Sequence, residues 1–451
     1  MIITSIYLLC AVLFILALRG LSAIRSASRG NTLAIIGISI AILATFAKFS
    51  FNTKTLLTLG VISVGSIIGY LIANKVKMKD LPQLIAAFHS LIGLVAVCTD
   101  ATILARHSEI IEFSQKIEIA LGVAIGAITF SGSLVAFLKL QGITKNSFIK
   151  HINVINIFMC ITLLISILLF FVFTNILTFG TIILLATMFG YSMIIPIGGA
   201  DMPVIVSMLN SYSGWATAGI GFTTNSQLLI ITGALVGTSG AILSYIMCKG
   251  MNRKLTQVVL VGFQQNQHVV NSAHKTTENV KLCNTEDVSY MIENASSIVV
   301  VPGYGMAVAQ AQHAVKDLID KLFTRNVTVK FAIHPVAGRM PGHMNVLLAE
   351  ANISDDYVYE LDDINNEFSA TDIVIVVGAN DITNPSAKDD PTSPIYGMPI
   401  LEVWKAKTVI VIKRSLNAGY AGIDNPLFYK PNTLMLLGDA KKVLNDLVKF
   451  L

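Results

Sequence analysis

The amino-acid sequence predicts two parts, a bundle of about nine membrane-spanning helices followed by an α/β domain with a doubly wound parallel sheet. Three observations indicate this fold class. The 451-residue chain is 54% hydrophobic and only 13% charged, whereas soluble domains carry about a quarter charged residues. Apolar runs long enough to cross a bilayer fill the first 250 residues. After residue 292, short β-branched runs alternate with helical patterns.

Nine segments of roughly twenty apolar residues each are predicted to span a membrane, so membrane lipid surrounds this half of the chain. With nine spans and a cytoplasmic C-terminal domain, the inside loops carry twelve lysines and arginines and the outside loops four. This bias agrees with the positive-inside rule and favours nine spans over eight or ten. The segments lie near residues 2–18, 32–47, 55–74, 82–104, 117–138, 152–173, 177–195, 203–223 and 227–248.

The composition argues against other classes of protein. The net charge is +5, but most of the excess in the membrane half lies in short loops, so we predict no nucleic-acid surface. The five cysteines show no paired spacing, which favours neither a disulfide framework nor a metal site. The N-terminus lacks the basic region and cleavage site of a signal peptide, so the segment 2–18 is expected to be a retained span.

His89 stands out in the fourth span because it is the only one of eight histidines well inside an apolar run. Histidine binds and releases a proton near neutral pH, and ionisable groups inside a membrane are functional candidates. We interpret His89 as a proton relay; the alternative is a neutral histidine hydrogen-bonded to a neighbouring helix. Asp100 lies about three helical turns further on nearly the same face. It is either further along the same path or a solvated residue at the helix end.

The eighth span is unusually polar for a membrane helix. Asp201, Ser207, Asn210, Ser211 and Ser213 replace apolar residues in it, which predicts a helix inside a bundle, where such groups hydrogen-bond across helices or hold water. Packing of small residues explains its glycines but not Asn210 with three serines nearby, so Asn210 is predicted to be a site residue. The ninth span has small residues at the spacing of close helix packing, namely Gly233, Gly237 and Gly240.

A change of composition divides the chain into a membrane domain at 1–250, a polar linker at 251–292 and an α/β domain at 293–451. About 160 residues suffice for one Rossmann-like domain with its own core. Alternating strands and helices of this kind predict a parallel, doubly wound sheet. The predicted strands lie at 298–301, 327–333, 357–361, 372–378, 408–412 and 433–437, with helices near 342–351 and from residue 439.

The segment 296–322 has the form of a dinucleotide cradle, with a buried strand, a glycine turn and a helix. Gly303 and Gly305 follow the strand at once, and a helix that begins near Met306 would present unpaired N–H groups to a pyrophosphate. The third position of the G-x-G-x-x-G pattern is Val308. The match therefore depends on the strand before the turn and the helix after it.

Two details favour a nucleotide with a 2′-phosphate. The second strand ends in Ile-His-Pro at 333–335, without the acidic residue that holds the ribose 2′-hydroxyl in NAD sites. The strand at 408–412 is followed by Lys413, Arg414 and Ser415, and two cations with a hydroxyl suit a phosphate. The alternative is a solvated basic strand end.

Five short motifs make the chain resemble the beta subunit of the proton-translocating nicotinamide nucleotide transhydrogenase, over both halves. In that family the C-terminal domain binds NADP(H) in an orientation flipped relative to ordinary Rossmann enzymes. The flip would account for Val308 and for the missing acid. The motifs are GYGMAVAQ at 303–310, HPVAGR at 334–339, GAND at 378–381, KRS at 413–415 and GYAG at 419–422.

The resemblance implies a set of site residues. The basic motif would hold the 2′-phosphate, and Arg339 with the first glycine turn would lie on the pyrophosphate and nicotinamide side. Asp381 would be an ionisable residue coupled to proton movement, while His89 and Asn210 would belong to the proton path. The implied cofactor-binding residues are Gly303, Tyr304, Gly305, Met306, Ala307, Val308, Arg339, Gly378, Asn380, Asp381, Lys413, Arg414, Ser415, Gly419, Tyr420 and Ala421.

The function implied by the resemblance is that of an enzyme component. Hydride would pass reversibly between NAD(H) on a partner alpha subunit and NADP(H) on this chain, coupled to proton translocation. The sequence holds one nucleotide fingerprint, so the NAD(H) domain is expected on the separate alpha subunit, in a dimer of alpha–beta units in a bacterial-type inner membrane. The alternative is a transporter or channel regulated by a nucleotide-sensing domain, although the T-V-G-Y-G filter of potassium channels is absent from the sequence.

Overall fold

The computed structural model describes residues 2–21, 24–47, 52–77, 80–106, 111–144, 152–197, 201–260, 280–340, 342–419 and 421–451. Tyr420 and residues 261–279 of the predicted linker lie outside these ranges. The chain forms two compact units. The membrane unit comprises Met1–Pro196 with Ile205–Leu243, and the α/β unit comprises Ile197–Val204 with Ser244–Leu451.

Nine long helices are found among the described residues up to Gly250. Eight are long and apolar enough to cross a membrane, whereas α8 is less apolar because serines, glycines and Asn210 replace leucines in it. The prediction of a multi-pass helical part is confirmed, and predicted and observed ends differ by about four residues or fewer, except that the second helix begins at Ile24 instead of near residue 32. The helices are α1 (Ile2–Leu21), α2 (Ile24–Phe46), α3 (Thr53–Lys75), α4 (Leu81–Arg106), α5 (Phe113–Leu140), α6 (Ile152–Val172), α7 (Ile176–Ile194), α8 (Met202–Thr223) and α9 (Gln227–Gly250).

Helices α8 and α9 pack backbone against backbone. A Cβ atom on Gly214 would lie 2.7 Å from Gly237 Cα, closer than side chains approach. The Ser211 hydroxyl donates to Gly237 O at 2.6 Å, and the Ser207 hydroxyl donates to Gly240 O at 3.1 Å. Glycines therefore let the helices approach, and serines join them by hydrogen bonds across the contact. The close packing predicted for the ninth span is confirmed.

A six-stranded parallel sheet forms the centre of the second unit, in the order β3-β2-β1-β4-β5-β6. Its inner strands are continuous apolar runs because helices cover both faces of such a sheet; all five residues of β4 are buried. The strand order reverses between β1 and β4, which opens a crevice at their carboxyl ends. The doubly wound fold is thereby confirmed. The strands are β1 (Ser297–Pro302), β2 (Thr328–Ile333), β3 (Val358–Glu360), β4 (Ile373–Val377), β5 (Thr408–Lys413) and β6 (Thr433–Leu437).

The helix expected after the first glycine turn is divided in two. It begins at Tyr304, two residues before the expected start, and is interrupted at Gln310, which takes a left-handed φ of 50°. The interruption changes the direction of the chain, and the second helix, Gln312–Thr324, then packs on the sheet. The helices of this unit are α10 (Leu255–Leu260), α11 (Thr285–Glu293), α12 (Tyr304–Ala309), α13 (Gln312–Thr324), α14 (His343–Glu350), α15 (Leu361–Ile364), α16 (Ser386–Asp389) and α17 (Ala440–Phe450).

Part of the segment predicted as a linker is folded onto the sheet. The Cys283 N–H donates to Met435 O of β6 at 3.1 Å, and Val288 and Ile292 of α11 are fully buried. The apolar face of α11 gains free energy by leaving water. The α/β fold therefore begins before residue 293.

We expect Gly214→Val to destabilise the membrane unit, because the added side chain would have to occupy the position of the α9 backbone. Overpacking of this kind typically costs about 1–3 kcal/mol. The thermal unfolding temperature of the purified chain in detergent measures the effect. Gly60→Val is the control, since a Cβ there meets nothing within 4 Å. Equal unfolding temperatures for the two variants would contradict the packing described for α8 and α9.

Candidate nucleotide site and intramembrane site

The crevice between β1 and β4 is closed at its base by two glycine turns. Gly303 N–H donates to Val377 O at 2.9 Å, and Gly305 N–H donates to Gly378 O at 2.8 Å. Gly378 has a left-handed φ of 65°, and a Cβ on Gly305 would lie 2.7 Å from Gly378 Cα. The two turns therefore meet backbone to backbone, which leaves no room for side chains between them.

The residues of α12 divide into buried and accessible ones. Met306 and Ala307 are fully buried and pack into the domain, whereas Tyr304 and Val308 are half-buried. A ligand in the crevice can therefore meet the side chains of Tyr304 and Val308. Met306 and Ala307 pack into the core and thereby fix the position of the turn.

A cluster of an aromatic ring, a guanidinium and an imidazole adjoins the first turn. The Arg339 guanidinium lies 4.4 Å from the centre of the Tyr304 ring, within the range of a cation–π contact. The backbone N–H of Arg339 donates to His343 Nδ1 at 3.0 Å. The Tyr304 and His343 rings meet edge to face, with their centres 6.2 Å apart. Gly338 has a φ of 104°, and a Cβ there would lie 2.6 Å from His343 Cβ. His343 thus fixes the backbone that carries Arg339.

His343 is fully buried. Its Nδ1 accepts a hydrogen bond, so the proton of the neutral ring is on Nε2. That atom has no hydrogen-bond partner among the residues described. Burial, with a smaller contribution from the Arg339 charge, lowers the pKa of His343 to about 4. The ring is neutral near pH 7.

The end of β2 holds a histidine at the place where NAD sites carry an acid. His334 Nε2 donates to Pro399 O at 2.7 Å, and its Nδ1 accepts from the Val336 N–H at 3.2 Å. Burial lowers the pKa of His334 to about 4, although the bond to Pro399 acts in the opposite direction. The strand end is therefore neutral, with its polar atoms already bound to backbone.

At the end of β5, two basic side chains have different surroundings. The Lys413 ammonium is half-buried; it lies 4.9 Å from the centre of the Phe428 ring and donates to Asn417 O. Burial lowers the pKa of Lys413, while the nearby carboxylates of Asp381 and Asp424 oppose that shift. Lys413 is thus positioned by its surroundings.

Arg414 is the more exposed cation at the end of β5. Its side chain is 59% exposed, and its guanidinium pairs with Asp439 at 3.4 Å. Asp439 also caps α17, accepting from the N–H groups of Lys441 and Lys442 at 3.2 Å and 3.4 Å. An exposed pair of this kind is worth about 1 kcal/mol or less, so an anion can displace the carboxylate at little cost. Ser415 beside it is half-buried.

The loop that follows β4 contacts the loop that follows β5. The Asp381 carboxylate accepts from the Ala421 N–H at 3.0 Å, and the Asn425 amide donates to Asn380 O at 3.1 Å. A Cβ on Gly419 would lie 2.5 Å from Asp381 Oδ1, so a larger residue there would displace the Asp381 carboxylate. Asp381 therefore holds Ala421 at the edge of the crevice.

In the membrane unit, His89 of α4 is buried against α8. His89 Nδ1 lies 2.9 Å from Ser213 Oγ, and the Ser213 hydroxyl donates to Asn210 O at 2.8 Å. Because a hydroxyl has one proton, the Ser213 oxygen accepts from His89 Nδ1–H. His89 Nε2 is then unprotonated in the neutral ring, and it has no hydrogen-bond partner in the described part of the chain. The half-buried Asn210 lies about one turn from Ser213.

Asp100 is fully buried, at 0% exposure. A Cβ on Gly122 of α5 would lie 3.3 Å from Asp100 Cγ, so the carboxyl group occupies a notch that the glycine leaves open. The alternative that Asp100 is a solvated residue at a helix end is therefore wrong. Helix packing covers it even though it lies near the end of α4.

Comparison with known proteins identifies the family. The family described as NAD(P) transhydrogenase beta subunit matches residues 3–450. The chain belongs to this family. Two relatives from Rhodospirillum rubrum, each named NAD(P) transhydrogenase subunit beta, are 51% identical to it over 456 aligned positions. The alignments cover 98% of this chain and 97% of each relative.

In this member of the transhydrogenase beta-subunit family, the predicted residues fall into three groups. The turns of β1 and β4 form one group with Tyr304 and Arg339. The second group consists of Asp381, Lys413, Gly419 and Ala421. His89 and Asn210 form the third group, in the other unit. No cluster of metal-ligating residues is found in the described part of the chain.

Sequence reasoning missed three residues that organise these groups. Ser213 was visible as part of the polar eighth span, but its pairing with His89 joins residues 124 positions apart. Asn425 and His343 follow no pattern, and their partners are backbone atoms of distant or strained segments. Such contacts exist only after the chain has folded.

We expect the stability of the α/β unit to fall as the pH falls from about 6.5 towards 4. The buried His343 has a pKa of about 4 when folded and an ordinary value of 6.5 when unfolded. The unfolded chain then binds protons more readily over this range, so acid favours unfolding. The unfolding temperature of the purified chain, measured between about pH 7 and pH 5, shows this loss of stability. In the His343→Gln variant the unfolding temperature should change less with pH.

His313→Gln is the control for this experiment, because His313 is exposed on α13. It should leave the pH dependence unchanged. An equally steep loss of stability in the His343→Gln variant and the unsubstituted chain would contradict the neutral, buried state of His343.

Proposed function

We propose that this chain is the NADP(H)-binding and proton-conducting subunit of a transhydrogenase. A partner alpha subunit carries NAD(H), and hydride passes reversibly between the two nucleotides while protons cross the membrane. The bound nicotinamide accepts or donates the hydride. The complex is a dimer of alpha–beta units in a bacterial-type inner membrane, with the C-terminal domain on the cytoplasmic side. The observation that carries the choice of nucleotide is the position of Lys413 and Arg414 at the carboxyl end of β5.

The crevice has the features that a dinucleotide requires. The carboxyl ends of β1 and β4, where the strand order reverses, are where such folds take their ligands. The glycine turns present backbone without side chains, which lets phosphate groups approach closely. Arg339, held against Tyr304, adds positive charge beside the first turn.

The charges at the end of β5 favour NADP(H) over NAD(H). Lys413 is held in place by its contacts with Phe428 and Asn417. Among the residues that the structure describes, Arg414 has only the long, exposed pair with Asp439 to give up. A 2′-phosphate placed between them gains two charge-assisted hydrogen bonds. The neutral His334 at the end of β2 offers no carboxylate to a ribose 2′-hydroxyl.

His89 is the proton-carrying residue of the membrane unit in this proposal. The hydrogen bond to Ser213 holds the imidazole and leaves Nε2 as the atom that takes up a proton. Once protonated there, the ring still donates to Ser213 through Nδ1. Asn210, near Ser213 on α8, supplies an amide that can hydrogen-bond to a water or to the protonated ring.

Asp381 is the coupling residue of the α/β unit in this proposal. Its carboxylate accepts from Ala421 N–H and interacts with the Lys413 charge. A change in the charge of Asp381 would weaken its hydrogen bond from Ala421 N–H and at the same time change the electrostatic field at Lys413. The state of the nucleotide site and the protonation of one carboxyl group are thereby linked.

The nucleotide proposal predicts the effect of Lys413→Ala combined with Arg414→Ala. Loss of two charge-assisted bonds, each worth about 1.5–3 kcal/mol, should weaken NADP(H) binding by at least about a hundredfold, since about 1.4 kcal/mol is a factor of ten. NAD(H) binding should scarcely change. Calorimetric titration of the purified chain with each nucleotide measures both affinities.

Lys449→Ala is the matched control, since Lys449 is an exposed cation at the far end of α17, paired with Asp446. It should bind both nucleotides as the unsubstituted chain does. Equal losses for NADP(H) and NAD(H) in the double variant would show that the two cations do not recognise the 2′-phosphate.

The proton proposal predicts that His89→Ala abolishes proton pumping by the alpha–beta complex in vesicles. Hydride exchange should partly survive, because that chemistry belongs to the nucleotide domains. Acidification of the vesicles and nucleotide oxidation are measured together. Ser239→Ala on α9 is the control, because the Ser239 hydroxyl only donates within its own helix, to Val236 O. Wild-type pumping by the His89→Ala variant would favour the alternative that His89 serves packing.

A further inference from the structure

A second titratable group lies in the membrane unit, apart from His89. Asp100 is fully buried within α4, and neither carboxylate oxygen forms a hydrogen bond with a residue that the structure describes. The Thr223 hydroxyl of α8 is the polar group that interacts with it. That hydroxyl already donates to backbone oxygens of its own helix, Gly219 O at 3.2 Å and Ile220 O at 3.1 Å.

The surroundings of Asp100 are otherwise apolar. Gly122 of α5 opens the notch that holds the carboxyl group. The next turn of α4 towards His89 packs in a cluster of Ala96, Ala216 and Ile220. These side chains offer the carboxylate no hydrogen-bond donor.

No cation on the packed helices neutralises Asp100. On α4 the only lysine or arginine is Arg106, six residues away in the exposed last turn. On α5 the near charged residues are the half-buried Lys116 and Glu118, and α8 has no charged residue in Met202–Thr223. Burial of an ionised carboxylate without a partner is strongly unfavourable. Binding of one proton removes that charge.

The place of Asp100 relative to His89 gives the bound proton a role. The two residues are eleven positions apart on one helix, about 16 Å, and both face α8. His89 meets Ser213 at one end of this contact and Asp100 meets Thr223 at the other. The apolar cluster lies between them and interrupts the polar path. A pump requires such a break in any one state, because a continuous polar path would let protons leak.

We propose that Asp100 is a second proton-binding site of the membrane unit, at the opposite end of the α4–α8 contact from His89. A carboxylate oxygen takes a proton from water at that end of α4 and later returns it to water or passes it towards His89. The topology predicted from the loop charges places this end on the outer side. The role in transport depends on the proposed function, whereas proton binding by Asp100 does not.

The test uses the complete alpha–beta complex in vesicles, with Asp100→Asn as the variant. A protonated carboxyl group has its own infrared carbonyl band, separate from that of a carboxylate. We expect the wild-type complex to show a buried carboxylic-acid band that disappears in Asp100→Asn. We also expect proton pumping per hydride to fall at least tenfold in the variant, with hydride exchange retained in uncoupled vesicles.

Two further variants keep the test decisive. Glu118→Gln removes the other near carboxyl group and should preserve both the band and the pumping. Gly122→Ala places a methyl group against the Asp100 carboxyl and should shift the band even if Asp100→Asn fails to fold.

The inference is overturned if the carboxylic-acid region of the infrared spectrum is the same in wild type, Asp100→Asn and Gly122→Ala. It is also overturned if Asp100→Asn pumps the wild-type number of protons per hydride with an unchanged pH profile. A wild-type complex that exchanges hydride without moving protons would overturn the proposed function instead. The infrared comparison would still decide whether Asp100 binds a proton.

Discussion

The close approach of backbone segments at glycine positions underlies both units of this protein. In the membrane unit, Gly214 and Gly237 bring α8 against α9, so that serine hydroxyls reach carbonyl oxygens of the facing helix. In the α/β unit, Gly305 and Gly378 bring the turns of β1 and β4 together. Each contact excludes side chains from one place and thereby determines where the neighbouring polar side chains can be.

Buried polar groups place a second constraint on both units, because burial of each such group costs free energy unless a hydrogen-bond partner compensates it. Both ring nitrogens of His334 are hydrogen-bonded to backbone atoms, so this neutral side chain connects two backbone segments. His89 and His343 are satisfied at Nδ1 and have an Nε2 without a hydrogen-bond partner among the described residues. In the proposed function, Nε2 of His89 is the atom that takes up a proton.

Two ion pairs of the α/β unit differ in their exposure. At the end of β5, the pair of Arg414 with Asp439 is long and exposed, which suits an anion that must bind and leave. In contrast, the Arg253 guanidinium donates to both carboxylate oxygens of Asp201, at 3.2 Å and 3.1 Å. The Asp201 side chain is only 2% exposed. Removing one partner of a buried pair leaves an uncompensated charge. The first arrangement is suited to exchange of a ligand, and the second to a permanent connection.

The sequence by itself determined the type and order of the nine long helices and of the six strands. Apolar runs of bilayer length and β-branched runs are local signals, so the six strands and the long helices, apart from the start of α2, could be predicted within about four residues. The glycine turns and the Lys413–Arg414 pair were visible for the same reason. The tertiary structure alone decided the break at Gln310, the folding of α11 onto β6, the burial of Asp100 and the pairing of His89 with Ser213. Each of these depends on side chains or backbone that are distant in sequence, and whether a polar group is buried or paired is settled only when helices and strands pack.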